Sequence, residues 1–228
     1  MNSLEMYFPA SVKKKKIVDR RKKMAYFPFM VDIKDMQCLV VGGGRIALHK
    51  VKILLGFEVK IKVIAKEICM ELRESEGAYL QLEERAFQET DIEKADFVVA
   101  ATGDKSLNHH ISELCRAKDI PINAVDMKED CSFIFPAMIQ EKDLLIAISS
   151  GGQSPAGVAY VKKRIREQIP DFYGEMMESL GAYRDYILKH VDSTERRKEI
   201  FNRLLEYGNT HAGMIPESLV KQMVNEME

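Results

Sequence analysis

The residues Gly42-Gly43-Gly44-Arg45-Ile46-Ala47 have the spacing G-x-G-x-x-A. In that pattern Gly42 allows a tight turn, Gly44 lets the backbone approach a pyrophosphate, and Ala47 permits close packing of a helix on a strand. Free N–H groups at the start of the helix and its dipole would favour the anion. The chemistry on offer is that of a dinucleotide. An acid that reaches the ribose hydroxyls ordinarily ends the second strand of such a unit, and here the strand ends Ile64-Ala65-Lys66-Glu67. Glu67 comes one or two residues late and Lys66 would suit a phosphate, so the sequence leans to NAD over NADP without deciding it. Asp126 follows an apolar run and reads either as a general base or as a turn cap. Ser149 and Ser150, ahead of Gly151 and Gly152, either donate hydrogen bonds to a ligand or only shape the loop. His49, His109 and His110 fall in helices and read as structural surface groups.

These residues need elements to hold them. Gln37–Val41 is a short apolar strand that runs straight into the glycines, and Ile46, Ala47, Lys50, Val51, Leu54 and Leu55 form the mostly apolar face of a helix that Gly56 can end. Val59–Ala65 completes a βαβ unit, and Tyr79–Glu83 reads as a third strand. Asp96–Ala101 is another buried strand, ending in the capping turn Thr102-Gly103-Asp104; a helix over about Ser106–Lys118 and a strand over Pro121–Val125 follow. Strands alternating with helices imply a doubly wound parallel sheet, whose ligands bind outside the carboxyl ends of the strands. Phe133–Ile139 and Leu144–Ser149 read as two extended segments joined by a polar turn. From Ala156 onward the chain reads as helices with breaks near Pro170, Gly208 and Pro216.

Composition narrows the classes. With 46% hydrophobic and 30% charged residues among 228, the chain is ordinarily globular. No apolar run approaches the ~20 residues of a membrane helix, so no membrane association is expected. A net charge of -1 argues against wholesale nucleic-acid binding, although Lys13–Lys16 and Arg20–Lys23 make a basic arm expected to be a flexible extension. Cys38, Cys69, Cys115 and Cys131 are scattered, without metal-ligand or disulfide spacing, which points to reduced thiols in the cytoplasm and to no metal site.

Several segments together carry a more specific likeness. Tyr26-Phe27-Pro28, Cys38–Gly44, Ala100-Ala101-Thr102, Asn123–Asp126, Cys131–Ala137 and Ile148–Pro155 resemble the precorrin-2 dehydrogenase family, which includes the N-terminal module of siroheme synthase. The likeness runs from about Ala25 to Pro170. After the basic extension over 1–23, it implies a homodimer with an NAD-binding Rossmann domain over 24–134, a dimerisation region over 135–163 and a helical domain over 164–228. The activity it implies is NAD-dependent oxidation of precorrin-2 to sirohydrochlorin, and some members also insert iron as ferrochelatases. By the same resemblance Arg45 and Ile46 contact the cofactor, Lys66 and Glu67 lie near its adenosine ribose, Thr102 sits under the pyrophosphate or nicotinamide half, and Asp126 is the catalytic aspartate.

The chain departs from the family at Ala159, where many members carry arginine, and at Arg45, where some carry an acid. A polycarboxylate substrate calls for an electropositive pocket, for which Ser149–Gly152 supply polar groups and Arg45, Lys105, Lys128, Lys162, Lys163 and Arg164 are candidate cations. A non-catalytic nucleotide-sensing module is the alternative reading, since a fold alone does not fix a function.

Overall fold

The computed structural model describes residues 26–226. The expected basic extension over 1–23 lies outside the described residues. In the segment 26–30 the rings of Phe27 and Phe29 pack 5.0 Å apart. All helices and strands of the described residues lie beyond it, in residues 31–226.

Five strands make a parallel sheet: β1 (Gln37–Val41), β2 (Lys60–Ala65), β3 (Leu80–Glu84), β4 (Phe97–Ala100) and β5 (Ile122–Ala124), in the order β3-β2-β1-β4-β5. β1 is central and buried on both faces, as its unbroken apolar run Cys38–Val41 requires. Alternation along the strand divides it. Cys38 and Val40 join Val51 and Leu54 of α1 (Arg45–Leu55) on one side, while Leu39 and Val41 join Ile111 and Cys115 of α3 (Lys105–Ala117) on the other. The chain winds outward from β1 through β2 to β3, then returns to β4 and β5 on the opposite flank. Strand order therefore reverses between β1 and β4, which opens a crevice at their carboxyl ends.

The elements start where local chemistry dictates. Asp104 caps α3, its Oδ1 accepting from the N–H groups of Ser106 at 2.8 Å and Leu107 at 3.2 Å. Ser154 caps α4 (Pro155–Arg166), its Oγ accepting from the N–H of Gly157 at 3.0 Å, with Pro155 in the first turn. Two short pieces carry too few residues for a periodic signal: α2 (Met70–Arg73) and a 3-10 helix over Glu89–Lys94. The second is held by Arg85, which forks onto Asp91 at 2.8 and 2.6 Å.

Past the sheet the structure departs from the sequence reading. The first extended segment is a strand only over Ala137–Glu141 (β6), paired antiparallel with Leu144–Ile148 (β7) through a turn at Lys142, whose φ is 52°. Phe133 does not enter the hairpin because it packs edge-on against Phe97 at 6.1 Å, and Asn123 Nδ2 donates to its carbonyl at 3.0 Å.

The break expected near Gly208 is also displaced. Helix α6 (Thr194–Thr210) runs through Gly208, because a Cβ there would meet Met176 Sδ at 2.6 Å and its absence admits the neighbouring helix α5 (Tyr173–His190). It ends two residues later, at Thr210, and a further break that the sequence reading lacked falls between α5 and α6, where Ser193 Oγ accepts from the N–H of Arg196. With α7 (Glu217–Asn225) these helices enclose their own core of Met176, Leu180, Ile187, Ile200, Leu204, Val220 and Val224.

Leu204 is fully buried in that core. Leu204→Ala should lower unfolding stability by roughly 3 kcal/mol, the usual penalty for a cavity that closes only in part; denaturant titration of both proteins checks it.

Candidate nucleotide and substrate site

Gly42 ends β1 at φ 128°, its N–H donating to the Ile64 carbonyl at 2.9 Å. A Cβ on it would lie 2.3 Å from the Ala101 carbonyl oxygen, so no other residue fits between the ends of β1 and β4. Gly43 is equally confined on the other side: a Cβ would lie 2.1 Å from the Glu67 carbonyl oxygen, and its own carbonyl accepts from the N–H of Cys69 at 2.9 Å.

Gly44 differs from both, because nothing lies within 4 Å of where its Cβ would stand. It is the N-cap of α1, with no side-chain cap and no acidic residue in the first turn. The helices α3 and α4 have side-chain caps, whereas α1 has none and the space beside its N-cap glycine is open. That arrangement fits a diphosphate, which would supply the missing acceptors.

The predicted cofactor residues gather around this opening. Arg45 and Ile46 follow Gly44 and are exposed, Ile46 at 48% despite being apolar. Lys66 and Glu67 are exposed at the end of β2, held near the turn by the Gly43–Glu67 contact. Thr102 stands across the crevice, but its hydroxyl is engaged. It lies 2.6 Å from Asn108 Oδ1 and 2.9 Å from the Asp104 carbonyl, and accepts from the N–H of Asp104 at 3.2 Å. Thr102 thus shapes the turn with its side chain. Asn108, buried at 2% exposure, completes the lock through Nδ2 to the Thr102 carbonyl at 3.2 Å.

Asp126 is exposed just past β5, in left-handed backbone at φ 60°. Its neighbour in charge is Lys50 of α1. Burial holds the Lys50 ammonium below the usual lysine range, opposed by the Cys131 thiol and the Asp126 carboxylate. Lys50 Nζ lies 4.0 Å above the Phe135 ring. Burial also pushes the Cys131 thiol up, and that thiol donates to the Ala124 carbonyl at 3.1 Å. Lys50 was not among the expected anion-binding cations. The available signal was a charge lying within the apolar stripe of α1.

A cavity of about 370 Å³ opens beside Lys50. Its walls come from α1 (His49, Lys50, Ile53), the Ile134–Ala137 segment, the end of β7 with Ser149, Ser150 and Gly152, and α4 with Val158, Ala159 and Lys162. The serine loop is preformed: Ser149 Oγ accepts from the N–H of Gly151 and Ser150 Oγ from the N–H of Ser154, both at 3.0 Å. Each hydroxyl hydrogen stays available for another acceptor. Gly151 and Gly152 take φ 62° and 81°, and Lys128 Nζ donates to the Gly151 carbonyl at 2.8 Å.

Of the expected cations, Lys162 lines the cavity, Lys128 braces the loop, and Arg164 pairs with Glu167 at 3.6 Å. Arg45, Lys105 and Lys163 are exposed and are not part of the cavity lining. Ala159, the departure from the family pattern, does line it. His49 is exposed and also lines it, while His110 pairs with Glu89 at 2.9 Å and His109 with Asp130 at 2.9 Å. Among the described residues no group of three or more His, Cys, Asp or Glu side chains could hold a metal ion. Nor is any described helix long and apolar enough to cross a membrane.

A doubly wound parallel sheet with an uncapped glycine turn at its reversal point defines a Rossmann-type nucleotide-binding protein. Residues 29–137 match the family model described as "Putative NAD(P)-binding". The chain is similar in sequence to part of several siroheme synthases. It is 38% identical over 185 residues to that of Thioalkalivibrio sulfidiphilus (strain HL-EbGR7), covering 80% of this chain and 38% of the relative. It is 32% identical over 205 residues to that of Ruthia magnifica subsp. Calyptogena magnifica, covering 89% and 42%. The chain therefore spans about two fifths of the length of these relatives. The solved structure of SirC, precorrin-2 dehydrogenase, shares the fold with a TM-score of 0.68 at 23% identity, covering 89% of this chain and 98% of that one.

Gly43→Ala should weaken NADH binding at least tenfold while the sheet still forms, because the Cβ must push the end of β2 off the turn; a titration followed by the fluorescence of the reduced nicotinamide, with circular dichroism as control, reads both.

The Asp130 carboxylate, followed by its charge, raises the pKa of His109. The stabilisation it brings is complete below about pH 6.5, the ordinary histidine value, and fades as pH climbs through the raised one. The stability gap between wild type and His109→Asn should therefore be wider at pH 5.5 than at pH 8.5, read as urea midpoints.

Proposed function

We propose that this chain oxidises precorrin-2 to sirohydrochlorin in siroheme synthesis, with NAD as hydride acceptor. The observation that carries the reading is that Lys50, which lines a cavity with Lys162 and apolar groups, feels the charge of Asp126 at the ligand end of the sheet, where the glycine turn is open. The family match and the sequence similarity to siroheme synthases support the same chemistry.

The oxidation removes a hydride and a proton from the macrocycle. Bound NAD supplies the acceptor for the hydride, held by Gly42, Gly43, Gly44, Arg45 and Ile46 at the diphosphate and by Lys66 and Glu67 toward the adenosine ribose. The proton needs a base within hydrogen-bond reach of the carbon that gives it up. Asp126 is that base: it stands at the ligand end of the sheet, and its exposure lets the proton pass on to water. Thr102 fixes the turn beneath the dinucleotide. Ser149 and Ser150 donate their free hydroxyl hydrogens to substrate carboxylates, with Gly151 and Gly152 letting the macrocycle approach the backbone.

The protein acts as a homodimer in the cytoplasm. Supporting the dimer, α4 has no buried residue and presents Tyr160 at 66% and Val161 at 43% exposure, apolar surface that a second copy would cover. Supporting the compartment, all four cysteines are free thiols.

Purified protein given precorrin-2 and NAD should form sirohydrochlorin, seen as its absorbance band. Asp126→Asn should lower kcat by about 10²–10⁴-fold, the range for loss of a positioned base, with NAD affinity within about twofold. Tight NAD binding without any oxidation in the wild type would favour the nucleotide-sensing alternative instead.

A further inference from the structure

Lys50 has no conventional electrostatic partner. Among the described residues it forms no salt bridge or hydrogen bond, whereas several lysines of the sheet domain are ion-paired, for example Lys34 with Glu58 at 2.7 Å and Lys62 with Glu83 at 2.6 Å. A lysine held partly away from water, with the Asp126 charge near but no carboxylate in direct contact, loses hydration that it does not fully recover inside the protein. A surface lysine escapes that loss by extending into solvent. Here the ammonium instead rests on the Phe135 ring, at the wall of the cavity, where burial disfavours its charge. A structural role would be served better by an apolar residue in the stripe of α1.

The cavity explains what such a charge is for. The walls around it are apolar, with Ile53, Ile134, Pro136 and Val158, and its other cation is Lys162, from α4 across the cavity. Two cations from separate elements around an apolar floor suit a ligand with a flat apolar body and several carboxylates. The titratable and charged groups facing Lys50 are His49 on its own helix, Asp126, Cys131 and, across the cavity, Lys162.

We propose that Lys50 is the specificity-determining anchor of this site, receiving a carboxylate of the tetrapyrrole in the cavity and holding the macrocycle against Phe135 next to Asp126. This rests on the precorrin-2 reading above and adds to it the residue that selects a polycarboxylate. A partly desolvated charged contact is the kind whose loss weakens binding most, since the carboxylate left behind stays buried and unpaired.

The test uses uroporphyrin, a stable macrocycle with eight carboxylates, as a binding probe by fluorescence quenching, alongside turnover of precorrin-2. Lys50→Met should weaken uroporphyrin binding roughly 10- to 100-fold and raise KM for precorrin-2 by a similar factor, with kcat lowered far less and NAD affinity unchanged. Lys50→Arg, which keeps the charge, should bind within about threefold of wild type. If Lys50→Met does not fold, Lys50→Gln carries the same expectation, and thermal melting identifies the folded variant. Wild type that turns over precorrin-2 while Lys50→Met and Lys50→Gln keep its KM would overturn the anchor and leave the dehydrogenase standing. Wild type that neither binds uroporphyrin nor oxidises precorrin-2 would overturn both. Equal weakening of uroporphyrin binding by Lys50→Met and Lys50→Arg would show that shape rather than charge matters, and would also sink the anchor.

Discussion

The ends of β1 and β4 approach until only a hydrogen atom fits between them, at Gly42 against the Ala101 carbonyl. Everything at the sheet's ligand edge depends on that contact. It brings Thr102 to one lip of the crevice, and the matching contact of Gly43 with Glu67 brings Lys66 and Glu67 to the other. Gly44 then starts a helix whose first amides have no acceptor of their own. Close packing on two sides and open space on the third follow from three adjacent residues with no side chain, and any other residue at Gly42 or Gly43 would displace the strand ends that meet them.

A second constraint runs beneath the crest, along the inner face of α3. Asn108 and Ser112 are buried polar residues, and each fixes a loop above the sheet. Asn108 locks the Thr102 turn, and Ser112 Oγ donates to the Asp130 carbonyl at 2.7 Å. Asp130 also receives His109, and Arg116 donates to the Glu129 carbonyl. The short segment after Asp126 is therefore pinned to α3 at several points. Its Lys128 reaches out in turn to the serine loop at Gly151. A buried polar group stays affordable only when it is bonded, and here satisfying those groups is also what sets the position of the base and the loop. No buried side-chain nitrogen or oxygen among the described residues lacks a partner.

Much of this was legible in the sequence because short-range chemistry decides it. The parallel strands read as apolar runs, since both faces of β1 and β4 are covered, and the glycine pattern gave the crevice its place between them. The capping turn Thr102-Gly103-Asp104 announced α3. What did not read correctly depends on partners distant in sequence. Phe133 and Phe135 have strand-like character, but Phe97 and Lys50 claim their rings. Gly208 reads as a helix breaker until Met176 is seen to occupy the space its missing side chain leaves. That the buried Asn108, one turn into the next helix, engages the Thr102 hydroxyl has no local signal either. Lys50 was legible as a member of an apolar stripe, but nothing local says that a cavity lies beside it.

The helical C-terminal region bears on the site through the hairpin. A Cβ on Gly174, in the first turn of α5, would stand 2.6 Å from the Glu141 carbonyl oxygen, so α5 begins directly against the β6–β7 turn. Lys142 in that turn pairs with Glu178 at 2.7 Å, and Arg166 at the end of α4 pairs with Glu141 at 2.7 Å. These pairs are exposed and individually weak, but the Gly174 contact is steric and cannot be screened. The hairpin thus has a fixed backing on one side while β7 delivers Ser149 and Ser150 to the cavity on the other. Two strands alone are marginally stable in water. The wall that would hold the acid groups of a substrate is firm because three helices with their own apolar core stand behind it.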